Sequence, residues 1–423
     1  MLAHSPPLPL IIYYRTFNRV LTSEDEEGMI LALEQRDRVS HVRLLLPVQN
    51  LQKASMAIDE EFPILEYLIM DPSVEDGTAL TLPETLQAPR LRHLALFNFA
   101  LPMRSRLLTT AIGLVVLTLT IGHPAAYFQP NILLQCISLM PQLEILVIHF
   151  LFPVPNRDVE RQLIMQTVTP ITTPITLPNL RRFWFRGASA YCEAIIRRIP
   201  AVYLEGLHIQ FFEQLTYSVP HLVQFINTTE NFRFDSVEIE FFDKRVCLDL
   251  YPRETGVSAF TIKIFSWNLD WQVSSVAKLS IALNQLYSTV EHLFLEHKIH
   301  WQSSEEHNEV DRSEWRKLLS SFSNVKTLSV ADGLVAGFSR CLHLEDGELP
   351  LELLPELQEL TYSGSRDAFI PFIDARQAAG RPVTLVRHVS SPSPSVLSLE
   401  APTIISGSVK GSSESESGND LDA

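Results

Sequence analysis

Residues 140–150 read MPQLEILVIHF, residues 177–187 read LPNLRRFWFRG, and residues 354–364 read LPELQELTYSG. In each, a proline stands two residues before a leucine. An apolar residue follows three places on, and another two places after that. The same apolar-x-x-apolar-x-apolar frame starts at Val39, Leu65, Leu91, Leu114, Leu143, Leu180, Leu204, Phe234, Val257, Val290, Val325 and Leu357. The Val257 copy is the poorest match. Successive starts lie 23 to 37 residues apart. The second half of the frame alternates like a strand with one buried face, and a period of this size marks a repeat architecture.

The segments between frames carry helical periodicity. In residues 273–287, Val276, Leu279, Leu283 and Leu286 share one helical face, with Ser274 or Ser275 as cap. In residues 311–322, Trp315, Leu318, Leu319 and Phe322 do the same behind Asp311 or Ser313. Residues 130–140 and 219–229 follow the same pattern. A strand and helix this short cannot bury both apolar faces alone, so neighbours must stack on one continuous core. The expected fold is α/β: an irregular leucine-rich-repeat solenoid, or horseshoe, with a parallel inner sheet and outer helices. Uneven spacing and the lack of a regular Asn or Cys after the strand predict the irregularity.

Three regions follow. Residues 1–37 form an N-terminal cap with a helix begun at Ser23, residues 38–388 the solenoid, and residues 389–423 a disordered Ser-rich acidic tail. The solenoid closes on a helix from about Ala368, stopped by Gly380 and Pro382, and a last strand. With 46% hydrophobic residues and a net charge of −15, the chain is globular and acidic, which argues against nucleic acid as partner. The uncharged stretch 107–143 is interrupted by Gly122, Pro124 and Pro130 and reads as a buried strand, not a membrane span. Cys136, Cys192, Cys247 and Cys341 lack metal-site spacing and read as reduced thiols of a cytoplasmic or nuclear protein.

No phosphate-binding glycine loop, nucleophile elbow or His-Glu-x-x-His stands in the sequence. No catalytic residue, metal ligand or cofactor is assigned. The alternative is an enzyme with a metal or hydrolytic site near His292, Glu296, His297 and His300. A purely structural assembly protein is the third reading. Positions 3, 5 and 7 of each frame fall on the sheet face away from the core and map its inner surface. There, strands three to five are apolar, the sixth presents Arg182, Trp184 and Arg186, and the eighth presents Glu238 and Glu240. His149 precedes the sixth strand and His208 and Gln210 follow it. Trp and Arg are enriched at binding hot spots, so these eight residues are the candidate surface for a protein partner.

The irregular repeats, the frames LRHLAL (91–96) and MPQLEIL (140–146), and the closing PFIDARQAAGRPVTLV (371–386) together resemble the leucine-rich-repeat region of fungal F-box-like proteins. The resemblance runs from about residue 1 to 388. It implies a ubiquitin-ligase substrate adaptor whose repeats hold a protein substrate on the concave face. The F-box that binds a Skp-type adaptor is not found: after Leu8-Pro9 the chain reads LIIYYRTFNRV, with no early Cys or Trp. A Skp-type adaptor is therefore expected as partner only with an F-box upstream.

Overall fold

Strands overlap all twelve frames in the computed structural model. The structure describes residues 8–15, 21–72, 79–100, 106–152, 175, 177–199, 204–214, 217–229, 232–252, 258–298, 311–343, 353–363 and 365–388. The chain divides into two units, Met1–Arg387 and His388–Ala423. The expected tail, residues 389–423, lies outside the described residues.

The strands of the main sheet are β1 (Leu10–Arg15), β2 (Val39–Leu46), β3 (Tyr67–Pro72), β5 (His93–Phe97), β7 (Val116–Ile121), β8 (Ile145–Phe150), β9 (Arg182–Gly187), β10 (Gly206–Phe211), β11 (Phe234–Phe242), β12 (Arg245–Pro252), β13 (Phe260–Phe265), β14 (His292–His297), β15 (Thr327–Val330), β16 (Glu359–Tyr362) and β17 (Thr384–Arg387). Two short strands, β4 (Leu80–Thr81) and β6 (Phe99–Ala100), pair apart from it. Among the described residues ten α-helices alternate with the strands. The architecture is α/β with a large, mostly parallel sheet of fifteen strands, counted over the described residues.

Frame positions 4 and 6 build the core. Val42, Leu44, Leu94, Leu117, Leu146, Phe183, Phe185, Leu207, Ile209, Val237 and Leu293 are buried, and they share one apolar cluster with the helices. Alternation along each strand sends the intervening side chains to the opposite, open face. Ile69, Ala95, Val147 and Cys247 are buried as well, yet lie outside that cluster.

The helices follow the periodicity read from the sequence. Those at Pro130–Ile137, Pro220–Thr228 and Arg312–Ser320 begin within a residue of the expected points. Asp311 caps the last, accepting from the Ser313 N–H at 2.9 Å. Two caps differ from expectation. Thr22, not Ser23, caps the helix Ser23–Leu33, in a reciprocal box with Asp25. The helix expected from Ser274 or Ser275 starts nearly two turns earlier, at Leu269, and ends at Ala282. The stretch 107–143 forms helix Arg106–Thr110, β7 and helix Pro130–Ile137. Among the described residues no helix is long and apolar enough to cross a membrane.

The sheet departs from a purely parallel one at its middle. Its strand order runs β1-β2-β3-β5-β7-β8-β9-β10-β13-β12-β11-β14-β15-β16-β17. After β10 the chain leaves two places free, lays down β11, and turns at Asp243-Lys244 into the antiparallel β12, with Phe242 opposite Arg245. It then returns as β13 beside β10. A two-residue hairpin explains the reversal. Val246, Leu248 and Leu250 alternate inward on β12 and are buried, so the added strand extends the same core. Gln272 anchors this meander: its Nε2 donates to the carbonyls of Phe242 (2.7 Å) and Ser266 (2.9 Å).

Candidate functional site

Strand register sets the open face. One row of side chains across the sheet runs Val147, Trp184, His208, Thr261, Asp249, Glu238, Phe294. The next row runs His149, Arg186, Gln210, Lys263, Cys247, Glu240, Glu296. His149, Arg182, Trp184, Arg186, His208 and Gln210 therefore meet on the neighbouring strands β8, β9 and β10. Glu238 and Glu240 do not border them: β13 and β12 intervene, because the meander reverses the strand order. The order of the frames places one strand between the acids and the Arg-Trp-Arg strand; in the sheet three strands, β10, β13 and β12, separate β9 from β11.

On β9 the exposure alternates as a half-buried strand requires. Phe183 and Phe185 are 1% exposed and line the core, Trp184 and Arg186 are half-buried, and Arg182 is exposed. The Trp184 and His208 rings meet edge to face, 5.7 Å between centroids. The Arg186 guanidinium lies 4.7 Å from the Phe265 ring centroid and 5.9 Å from that of Phe212. Burial lowers the pKa of Arg186. Burial, reinforced by Arg186, pushes the His149 imidazole down to about 4. Burial, then Lys263 and Arg182, does the same to His208. Both histidines are thus neutral near pH 7. Trp184 Nε1 and Arg186 Nε are buried atoms with no hydrogen-bond partner.

Beyond β13 and β12 lies an acidic strip. Glu238, Glu240 and Glu296 offer oxygens within 4.8 Å of one another. Lys298 pairs with Glu296 and lies 3.8 Å from Glu240. Tyr251 donates to Glu238 at 2.8 Å. Burial, with Glu238 and Asp249 as further causes, raises Glu240 to about 7. The histidines named with Glu296 do not join it. His292 shares a 2.7 Å hydrogen bond with Thr327. His297 turns to the opposite face, where its ring touches Gly333 in the first turn of the helix Asp332–Leu342. His300 lies outside the described residues.

Sequence reasoning missed Lys263, Asp249 and Tyr251. Lys263 occupies position 7 of the poorest frame, which left it off the surface map. Asp249 and Tyr251 belong to β12, which has no frame. The signal for β12 was the strict alternation of Val246, Leu248 and Leu250. No protein-family model matches the chain, and no curated protein matches it significantly.

Proposed function

We propose that the chain is a non-catalytic protein-binding scaffold, the substrate-recognition part of an F-box/leucine-rich-repeat type ubiquitin-ligase adaptor. In this reading the repeats form an irregular leucine-rich-repeat solenoid, the sheet is its inner, concave surface, and a protein substrate lies across that surface. A Skp-type adaptor joins only where an F-box precedes the repeats, and the protein works in the cytoplasm or nucleus. Twelve strand-bearing frames and the helix after most of them support the repeat reading. One observation carries the binding reading. Trp184 stands half-exposed between Arg182 and Arg186 on the open face, while Phe183 and Phe185 of the same strand fill the core. An aromatic with two guanidinium groups is the composition of a hot spot.

Site-specific photo-crosslinking tests the proposal. A crosslinker at Arg182 should give a discrete protein adduct in cells, which Trp184→Ala abolishes. The same crosslinker at Ile281, exposed on the helix Leu269–Ala282, should not give that adduct. Adducts formed at Ile281 alone would overturn the reading.

A further inference from the structure

We infer that the patch of Arg182, Trp184 and Arg186, completed by Lys263, takes an extended peptide segment carrying carboxylates three or four residues apart. The inference rests on the protein-binding reading above and names the chemistry of its partner. The first support is charge. The chain carries −15 overall, yet three cations gather on β9 and β13 around one tryptophan. None of the ion pairs among the described residues uses Arg182, Arg186 or Lys263. Nearby cations are not left so: Arg181 meets Glu205 at 3.4 Å and Lys298 meets Glu296 and Glu240.

The second support is the aromatic setting of Arg186, whose guanidinium lies near the Phe265 and Phe212 rings. A carboxylate makes the strongest hydrogen bonds open to a guanidinium. Phe265 backs the Arg186 guanidinium, which holds its plane for a forked pair with a carboxylate. His149 and His208, both lowered to about 4, add no charge of their own near pH 7.

Geometry then fixes the spacing. Arg182 and Arg186 are four residues apart on one strand, about 13 Å at about 3.3 Å per residue. Lys263 lies two strands from β9, about 10 Å at about 4.8 Å per strand. An extended peptide spans these distances with successive carboxylates three or four residues apart. The acidic strip on β12, β11 and β14 bounds the patch on one side and repels an anionic segment there. A segment bearing acids is thereby confined to β9, β10 and β13, with apolar residues accommodated towards the partly exposed Ile145 on β8.

The test uses the full chain and a fluorescent heptapeptide, Gly-Glu-Ala-Phe-Ala-Glu-Gly, with its Gln-for-Glu counterpart, at low salt. The Glu peptide should bind about tenfold tighter or more than the Gln peptide. Arg182→Glu and Lys263→Glu should each weaken it about fivefold or more, with thermal unfolding unchanged. Lys244→Glu, at the hairpin tip, should bind as the wild type does. Equal affinity for the two peptides, or indifference to Lys263→Glu, overturns the inference. So does tighter binding of an oligothymidylate of equal length that displaces the peptide. If the Gln peptide binds as well as the Glu peptide and Trp184→Ala abolishes both, the binding reading survives and the carboxylate chemistry fails. If neither peptide binds, and no peptide of a random array responds to Trp184→Ala, both fail.

Discussion

Phe183 and Trp184 are adjacent in sequence and opposite in fate. Phe183 is 1% exposed in the core, so Phe183→Ala should cost about 3–5 kcal/mol of stability by chemical denaturation. Trp184 is half-buried on the open face, so Trp184→Ala should leave the unfolding midpoint nearly unchanged. A destabilised Trp184→Ala beside a stable Phe183→Ala would invert the register. Glu240 makes a separate, pH-dependent prediction. Burial raises its folded pKa from 4.5 to about 7. Between those values the folded chain holds a proton that the unfolded chain has lost, so this group's contribution falls as pH rises through the window. Glu240→Gln removes that dependence. The variant should match the wild type at pH 4 and exceed it by about 3 kcal/mol at pH 8. The histidines lowered to about 4 act in the opposite sense between about pH 4 and 6.5, since the unfolded chain there binds the extra proton. They are common to both proteins and cancel in the comparison. Equal stability of the two proteins at pH 8 would show that Glu240 does not pay for its burial.

At the scale of elements, the helix Pro220–Thr228 shows how one repeat completes the next. Its cap residue, Val219, has no side-chain acceptor. Glu193, on the preceding helix Ser189–Ile196, takes that role and accepts from the His221 and Leu222 N–H groups at 2.8 Å each. Glu193→Leu leaves both donors unpaired at a buried helix start, which should cost about 2 kcal/mol. Hydrogen exchange should accelerate first in residues 221–226, and uniform acceleration across the chain would argue against a local cap. This contact also shows where sequence reading stops. Helix periodicity and local caps such as Asp311 are legible, because all their partners lie within one turn. Glu193 serves a helix 28 residues away, which no local pattern encodes. The frames likewise placed the side chains of β9 on the right faces, because alternation is a property of one strand. They did not place Lys263 beside Gln210, or Asp249 beside Glu238, because those neighbours depend on strand order. β12 escaped altogether, since its hairpin inserts between frames and carries only the period-two half of the signal.

Across the whole molecule, most neighbouring strands of the sheet are successive in the chain, and coupling in such arrays is short-ranged. The meander is the exception. The strands β1–β10 of the main sheet and the strands β14–β17 are joined within it only through β13, β12 and β11. Whatever holds the meander therefore sets how far the two halves unfold together. Gln272 is 0% exposed and ties the end of β11 to the end of β13 through the Phe242 and Ser266 carbonyls. Gln272→Leu keeps the volume and removes both bonds, which should cost about 2–3 kcal/mol. The loss should be unequal along the chain. In the wild type, amides of β8 and of β14 should show the same opening free energy by native-state hydrogen exchange, because each half supports the other. In Gln272→Leu, β11–β13 should exchange first and β14–β16 should then open separately from β5–β10, with the two groups differing by about 2 kcal/mol. If both halves lose protection equally, the meander is an ordinary part of one cooperative unit, and coupling across the sheet runs through the helical layer instead.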